Sequence, residues 1–491
     1  LRMRNHRKYL KEYSALGLIS LLACGGYLIF SARTGGLGFP LDDAWIHQTF
    51  ARNLAETLTW SFQMGQPSGG STGPLWGLML SLLHLGRIPV IMGTHFLGYL
   101  ILWACSIVGF QVGKILLPEN RIAPMIIGAM ISMEWHMVWA ALSGMETLLL
   151  ILISMLIFRW ILEKRNDWWL PGILIGISIW VRPDGVTLVG PILFSLIFRQ
   201  IPARKAWGFA GSFMACLFLV ACPYFIFNHF VAGDFWPNTF YAKQTEYEIL
   251  RQAGMIPNYL KLARQAVTGI GILLLPGLIV EIMDISSKKE WGRAGILLWS
   301  VGYVGIYALR LPVVYQHGRY IMPMIPAFIL MGAGGWARWI ELKSEHKWKR
   351  IISAVWAGSA AVTLIVFWAV GAKTYALDVG VIESEMVQVA RWVNENTPLD
   401  AVIGAHDIGG LGYFGDREII DLAGLISPDV IPFIRNQKKL AEYLDKNGAN
   451  YLVTFPGWYP EMVEDLALVY ESKGEFTALF GMDRMSVYLW K

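Results

Sequence analysis

From Ser14 to Gly371 the chain alternates long apolar runs with short polar breaks, and then its pattern changes. Runs of about 18–20 apolar residues are long enough to cross a hydrocarbon core as a helix. They predict spans at 13–31, 74–92, 95–117, 122–141, 145–162, 206–230, 266–283, 294–309, 320–338 and 351–371, with a short pair at 170–181 and 186–199. The short pair is interrupted by Arg182-Pro183-Asp184-Gly185, and the run 74–92 by Gly86, Arg87 and Pro89. Interrupted helices in a membrane need partners for their freed backbone groups, which places them beside a protein-walled or aqueous cavity. From about Asp378 the spacing becomes that of a soluble domain: Glu383–Asn396 and Lys438–Asn447 read as amphipathic helices, and Ala401–Gly404, Tyr451–Phe455 and Met485–Trp490 as strands. The expected fold is a polytopic α-helical membrane protein of about 11 spans. It occupies residues 1–375, followed by a C-terminal soluble α/β domain over 376–491.

Composition agrees: 55% of residues are hydrophobic and only 16% charged, too little charge to cover a soluble protein of 491 residues. The 22 tryptophans suit interfacial belts. Basic clusters at Arg2–Lys11, Lys164-Arg165, Arg199–Lys205, Lys288–Arg293 and Arg338–Arg350 mark the cytoplasmic side by the positive-inside rule. The loop 32–73, the regions 231–265 and 310–319, and the tail then fall outside. Four apolar segments lie between loop 32–73 and Lys164, where an odd number of crossings is required; the interrupted run 74–92 is the one expected to be re-entrant or merged. No A-x-A-like site follows the first run, which is expected to stay as an anchor. The net charge of +5 resides in these loops and points to topology rather than nucleic acid. Cys24, Cys105, Cys216 and Cys222 all sit in apolar runs, which predicts packing rather than disulfides or a zinc site.

Candidate chemistry begins at Gly38-Phe-Pro-Leu-Asp-Asp-Ala-Trp-Ile-His47, where Asp42 and Asp43 open a helix-like stretch just outside the first span. Such acids cap a helix or complement its dipole; a carboxylate here is equally placed to take a proton from an attacking hydroxyl. Adjacent residues point in different directions, so one can be the base while the other orients it. Nothing in the spacing says which, and the pair is also able to hold a divalent cation. Pro67–Trp76 is a flexible outer loop of the kind that closes over a substrate. Glu134 and Glu146 lie in or near apolar runs, where an ionisable group is costly and is usually paired or functional. Arg182 and Asp184 can pair across the helix break or shape a cavity.

"LDDAWIHQTFARNLAE" followed by "GGSTGPLWGLMLSLL" resembles the first outer loop of GT-C-type glycosyltransferases, closest to the bacterial arabinofuranosyltransferase-like branch. Further segments match in order: "SGMET" at 143–147, "VRPDG" at 181–185, "FWPNTFYAK" at 235–243, "GRYIMP" at 318–323 and "NENTPLDAVIGAHDIGGLGYFGDREIIDLAGL" at 394–425. The residues Ile46–Phe50 and the loop after Trp60 depart from that branch, which bears on the sugar more than on the reaction. The resemblance implies a membrane enzyme of the bacterial inner membrane with its active site and C-terminal domain extracytoplasmic. It would transfer one sugar, with inversion, from a polyprenyl phosphate to an acceptor hydroxyl on a glycan, lipid or protein. Asp43 or Asp42 would be the base, and Arg319, Lys243 and His317 would bind the donor phosphate, a guanidinium being suited to bidentate phosphate contact. Glu146, Arg182, Asn238, Tyr241 and Asp407 would line the substrate cavity. A transporter or flippase of lipid-linked sugars is the rival reading; it calls for inverted repeats, which the sequence lacks. A membrane-anchored sensor would need far fewer spans.

Overall fold

The computed structural model describes residues 8–199, 201–341 and 347–490; Arg2–Arg7 and the middle of the Arg338–Arg350 cluster lie outside them. Among the described residues, six helices are long and apolar enough to cross a membrane, or eight if each of two bent pairs counts as one span. The expected figure of about eleven is reached only if the shorter helices Thr147–Leu162, Trp169–Val181 and Pro183–Phe198 also cross.

The uneven crossing count has a physical answer. Helix α1 (Leu10–Thr34) leads through an extended segment into α2 (Asp42–Thr57), which lies beneath the C-terminal domain. Helix α3 (Pro74–Leu85) has 12 residues, about 18 Å, too short for a hydrocarbon core by itself. Both of its ends stay at the domain-bearing end of the bundle, where Trp76 donates to the Gly144 carbonyl and His84 contacts Gln48 of α2. Helix α4 (Val90–Leu116) then runs to the far end, where Trp103 and Gln111 donate to Tyr13 at the start of α1. The bent pair α5 (Ala123–Met133) and α6 (Trp135–Leu142) comes back, and α7 (Thr147–Leu162) returns to bring Arg159 onto Gln111. Three helical passages therefore separate loop 32–73 from Lys164, and the run 74–92 divides between α3 and the start of α4.

The interrupted pair is α8 (Trp169–Val181), a 3-10 segment Pro183–Leu188, and α9 (Val189–Phe198). After α10 (Ala203–Ala232), the short α11 (Asn238–Glu246) lies across the domain-bearing end. Helices α12 (Met255–Val267) and α13 (Gly271–Lys288) meet at 103°. Helix α14 (Trp291–Arg310) precedes the loop that carries Arg319, and α15 (Ile325–Glu341) follows it. Helices α13 and α15 touch backbone to backbone: a Cβ on Gly335 would come 1.8 Å from the Gly277 carbonyl oxygen, so only glycine permits the approach.

No break falls at residue 375. Helix α16 (Lys347–Ile382) continues through a π turn, Glu383–Val387, into α17 (Gln388–Asn396), carrying the chain from bundle to sheet as one rod. Beyond it, β1 (Val402–Ala405), β2 (Glu418–Asp421), β3 (Tyr451–Thr454), β4 (Ala467–Glu471) and β5 (Ser486–Leu489) form a sheet of order β2-β1-β3-β5-β4. Strands β1, β2 and β3 are parallel; β5 runs antiparallel to β3 and β4. Strands β2 and β4 are additions to the sequence reading, and α18 (Gln437–Lys446) matches its second amphipathic helix. One continuous apolar core joins the bundle to the near face of the sheet, including Val379, Ile403 and Val453, while Leu440, Leu444 and Leu452 fill the far face under α18. The carboxyl ends of the parallel strands are thereby set over α2.

Candidate active site

Leu41, in extended backbone, is the residue before α2, so Asp42 and Asp43 are its first two helical residues and neither caps it. Consecutive helical residues project about 100° apart, and the two carboxylates meet different surroundings. Both oxygens of Asp42 are occupied, accepting from the backbone N–H of Gly409 at 2.6 Å and of Gly410 at 2.7 Å. A Cβ on Gly409 would lie 2.0 Å from the Asp42 carbonyl oxygen, so this contact needs glycine. Burial and the nearby Asp407 push the Asp42 carboxyl up to about 8, against the pull of its two N–H donors. Asp42 is a latch between the first loop and the C-terminal domain.

Asp43 instead faces two cations. Arg319 Nη2 donates to it at 2.5 Å and Lys243 Nζ at 3.5 Å, and both also donate to the Tyr320 hydroxyl at 3.0 Å. Burial raises Asp43, but Lys243 and Arg319 outweigh it and hold the carboxyl below the usual carboxylate range. Arg319 is only 4% exposed, and its Nε and Nη1 are buried with no hydrogen-bond partner among the described residues. A guanidinium carries five donors in a fixed fork. Here part of that fork is left for an anion.

The loop that presents Arg319 is built on three consecutive left-handed residues, Gln316 (φ 53°), His317 (φ 58°) and Gly318 (φ 67°). Two non-glycine residues in that region cost about 1–3 kcal/mol each and persist where the surroundings enforce them. The enforcing contact is His317, whose Nε2 meets Asp378 of α16 at 2.7 Å between the edges of Trp135 and Trp139. His317 thus braces the loop from behind and lines neither of the cavities described next.

Two cavities meet at Asp43, Lys243 and Arg319. The first, about 500 Å³, is walled by the bundle and by α11 and includes Glu146, Arg182, Asp184, Tyr241 and Tyr307. Three of its charges are paired among themselves, Arg182 with Asp184 at 3.2 Å, with Glu146 at 3.7 Å and with the Tyr307 hydroxyl at 2.9 Å, while Arg310 lies over the Phe240 ring. Glu146 also reaches His47 at 3.1 Å. The second cavity, about 890 Å³, is roofed by the C-terminal domain and includes Asp407, His406, Trp458 and Tyr459, with Glu246 and Gln316 on its other side. Asn238 lines neither cavity. Its N–H donates to Gly69 and its side chain to the Leu425 carbonyl, fastening loop 67–73 and the domain to α11.

Arg319, Lys243 and one aspartate, all picked out in the sequence, come together; Glu146, Arg182 and Tyr241 stand in one cavity and Asp407 in the other. Sequence reasoning missed Tyr320 and Glu246. Each had a faint signal, Tyr320 as the neighbour of Arg319, and Glu246 three residues after Lys243 on the same helical face. Among the described residues, no group of three or more His, Cys, Asp or Glu side chains is disposed to hold a metal ion.

A domain family described only as a domain of unknown function (DUF8728) matches residues 363–488, beginning inside α16. None of the curated proteins searched matches the chain in sequence. In three dimensions the archaeal oligosaccharyltransferase AglB from Archaeoglobus fulgidus, solved with an inhibitory peptide and a dolichol-phosphate, superposes with a TM-score of 0.63 at 10% identity, over 92% of this chain and 70% of AglB. ArnT from Cupriavidus metallidurans, bound to undecaprenyl phosphate, gives 0.58 at 13% identity over 96% and 97% of the two chains. The arabinofuranosyltransferase AftD from Mycobacteria gives 0.54 at 14% identity, this chain spanning 41% of AftD. These are GT-C glycosyltransferases, and this integral membrane protein has their fold.

Proposed function

We propose that the protein is a GT-C glycosyltransferase that moves one sugar from a polyprenyl phosphate to an acceptor hydroxyl of a cell-envelope glycan, lipid or protein, with inversion at the anomeric carbon. The observation that carries this reading is the buried, half-satisfied fork of Arg319 beside Asp43 where two cavities join. The donor lipid enters the bundle-walled cavity, since its prenyl chain comes from the bilayer, and its phosphate takes the open donors of Arg319 together with Lys243. The acceptor approaches from the domain-roofed cavity. Its hydroxyl oxygen attacks the anomeric carbon, the bond from that carbon to the phosphate oxygen breaks, and the proton passes to Asp43. The lipid phosphate departs with the bonding pair, its charge stabilised by fixed cations that need no reorganisation.

Phosphate binding also prepares the base. Without donor, Arg319 and Lys243 keep Asp43 a weak proton acceptor; once they turn to the phosphate, Asp43 loses part of that stabilisation and becomes more basic. This reading assigns Asp42 to positioning and His317 to bracing the Arg319 loop. It puts the site and the C-terminal domain on the extracytoplasmic side, opposite the basic clusters, and takes the bacterial inner membrane from the resemblance. The test is binding of undecaprenyl phosphate to the full chain in nanodiscs. Arg319→Gln is expected to weaken it by about ten- to a hundredfold, the worth of a charge-assisted contact. Equal binding by wild type and variant would remove the phosphate site.

A further inference from the structure

Resting on the glycosyltransferase reading, we infer that the acceptor is a carbohydrate, held by Asp407, Gln316 and the Trp458 ring at the carboxyl ends of the parallel strands. In open sheets containing parallel strands, ligands bind outside those carboxyl ends, where successive connections leave in opposite directions. Here that place is beside β1, which lies between β2 and β3. The residues following each of the three strands line the domain-roofed cavity: His406 and Asp407 after β1, Ala423 and Leu425 after β2, and Phe455 and Trp458 after β3. The Asp42 latch on Gly409 and Gly410 fixes the first of these connections directly against Asp43's helix.

Apart from Arg319 and Lys243, which the transfer reading gives to the donor phosphate, this cavity leaves two groups open as hydrogen-bond acceptors. The Asp407 carboxylate makes no hydrogen bond or ion pair among the described residues, although it lines the cavity. Gln316 Oε1 is buried and unpartnered on the facing loop. His406 is engaged by the Tyr459 hydroxyl at 2.7 Å and by Glu246 at 3.5 Å. A ligand that satisfies this wall must bring several donors, as the hydroxyls of a sugar do. Beside them Trp458 is 44% exposed on a turn fixed by Asp483, whose carboxylate accepts from the Gly457 N–H at 2.8 Å. A rigid indole face at a wet site packs against the apolar C–H face of a sugar ring.

A peptide acceptor fits this wall less well. Adding an extended peptide needs an open strand edge. The edge of β2 is already occupied at Ile419, whose carbonyl accepts from Gln63 at 2.9 Å. The loop after β2 is closed as well: Asp421 takes the N–H groups of Ala423, Leu425 and Ile426, and Asn238 takes the Leu425 carbonyl.

The experiment measures ligand binding separately from transfer. Saturation-transfer NMR on the full chain in nanodiscs would use neutral cell-wall-type oligosaccharides (arabinan, mannan and galactan fragments) against serine-, threonine- and asparagine-containing peptides. Wild type is expected to saturate the oligosaccharides, and Trp458→Ala and Asp407→Asn to weaken that binding by at least about tenfold. Neither residue is fully buried, and circular dichroism of the variants checks that they fold. Saturation of peptides alone, or oligosaccharide binding unchanged in both variants, or no binding to wild type, would overturn the carbohydrate subsite. Failure of the glycosyltransferase reading looks different: oligosaccharides bind as stated, yet no donor sugar is ever transferred to them.

Discussion

The two cavities that meet at Asp43 differ in how their charges are satisfied. In the bundle-walled cavity Arg182, Asp184, Glu146 and His47 pair with one another, so most of that cluster's charge is compensated before any ligand arrives, with Asp184 Oδ1 left over. In the domain-roofed cavity the Asp407 carboxylate and Gln316 Oε1 have no hydrogen-bond partner among the described residues. The same contrast appears between neighbours on one helix, where Asp42 is fully engaged by backbone and Asp43 faces cations that an incoming anion can claim. Closed polar groups hold shape; open ones mark where a ligand completes the structure.

Substitutions on either side sharpen this contrast. The largest effect is expected for Asp43→Asn, which keeps the shape but removes the proposed base: kcat should fall by about a thousandfold while donor affinity holds or tightens, read from initial rates over a donor series. Arg319→Gln should act chiefly on the donor, raising its KM by about tenfold or more while leaving acceptor KM alone. Gly409→Ala breaks a closed contact instead. The added Cβ cannot coexist with the Asp42 backbone, and the protein should lose about 1–3 kcal/mol, seen as a lower Tm together with reduced turnover.

The smallest effect concerns pH. Burial and the carboxylates of Asp43, Glu246 and Asp421 raise Asp407 to about 6, although His406 opposes them. A carboxyl whose folded pKa is raised binds protons more readily folded than unfolded. Its contribution to stability is therefore greatest below about pH 4 and declines as pH rises towards 6, then stays level. Asp407→Asn should remove this decline, raising Tm at pH 7 by about 1–3 °C relative to wild type and not at pH 4. A donor analogue that fills the centre should leave the effect in place.

How much of this was legible in the chain follows from the range of the interactions. Apolar runs, broken helices and basic clusters are local, and they foreshadowed the spans, the interrupted pair at Arg182–Gly185 and the need to set 74–92 apart. The adjacent aspartates could be seen, but their separate tasks could not, because Asp42 is defined by Gly409 and Gly410, more than 350 residues away. His317 was read as a phosphate ligand from the resemblance and its outer position; its partner Asp378 lies in α16, and no spacing announces that pair. Strands β2 and β4 went unread for a different reason. All five strands have only four or five residues, so the pattern has to carry the signal, and that of β4 runs from exposed to intermediate with no alternation.

The measurement that bears most directly on the transfer centre is single-turnover transfer from radiolabelled polyprenyl phosphate pentoses and hexoses by the full chain in nanodiscs, with donor binding measured on the same samples. Wild type is expected to transfer label to an oligosaccharide, and Asp43→Asn to bind donor at least as well and transfer about a thousandfold more slowly. Transfer at the wild-type rate by Asp43→Asn, or movement of donor across the membrane by wild type with no transfer to any acceptor, would contradict the placement of catalysis at Asp43, Arg319 and Lys243.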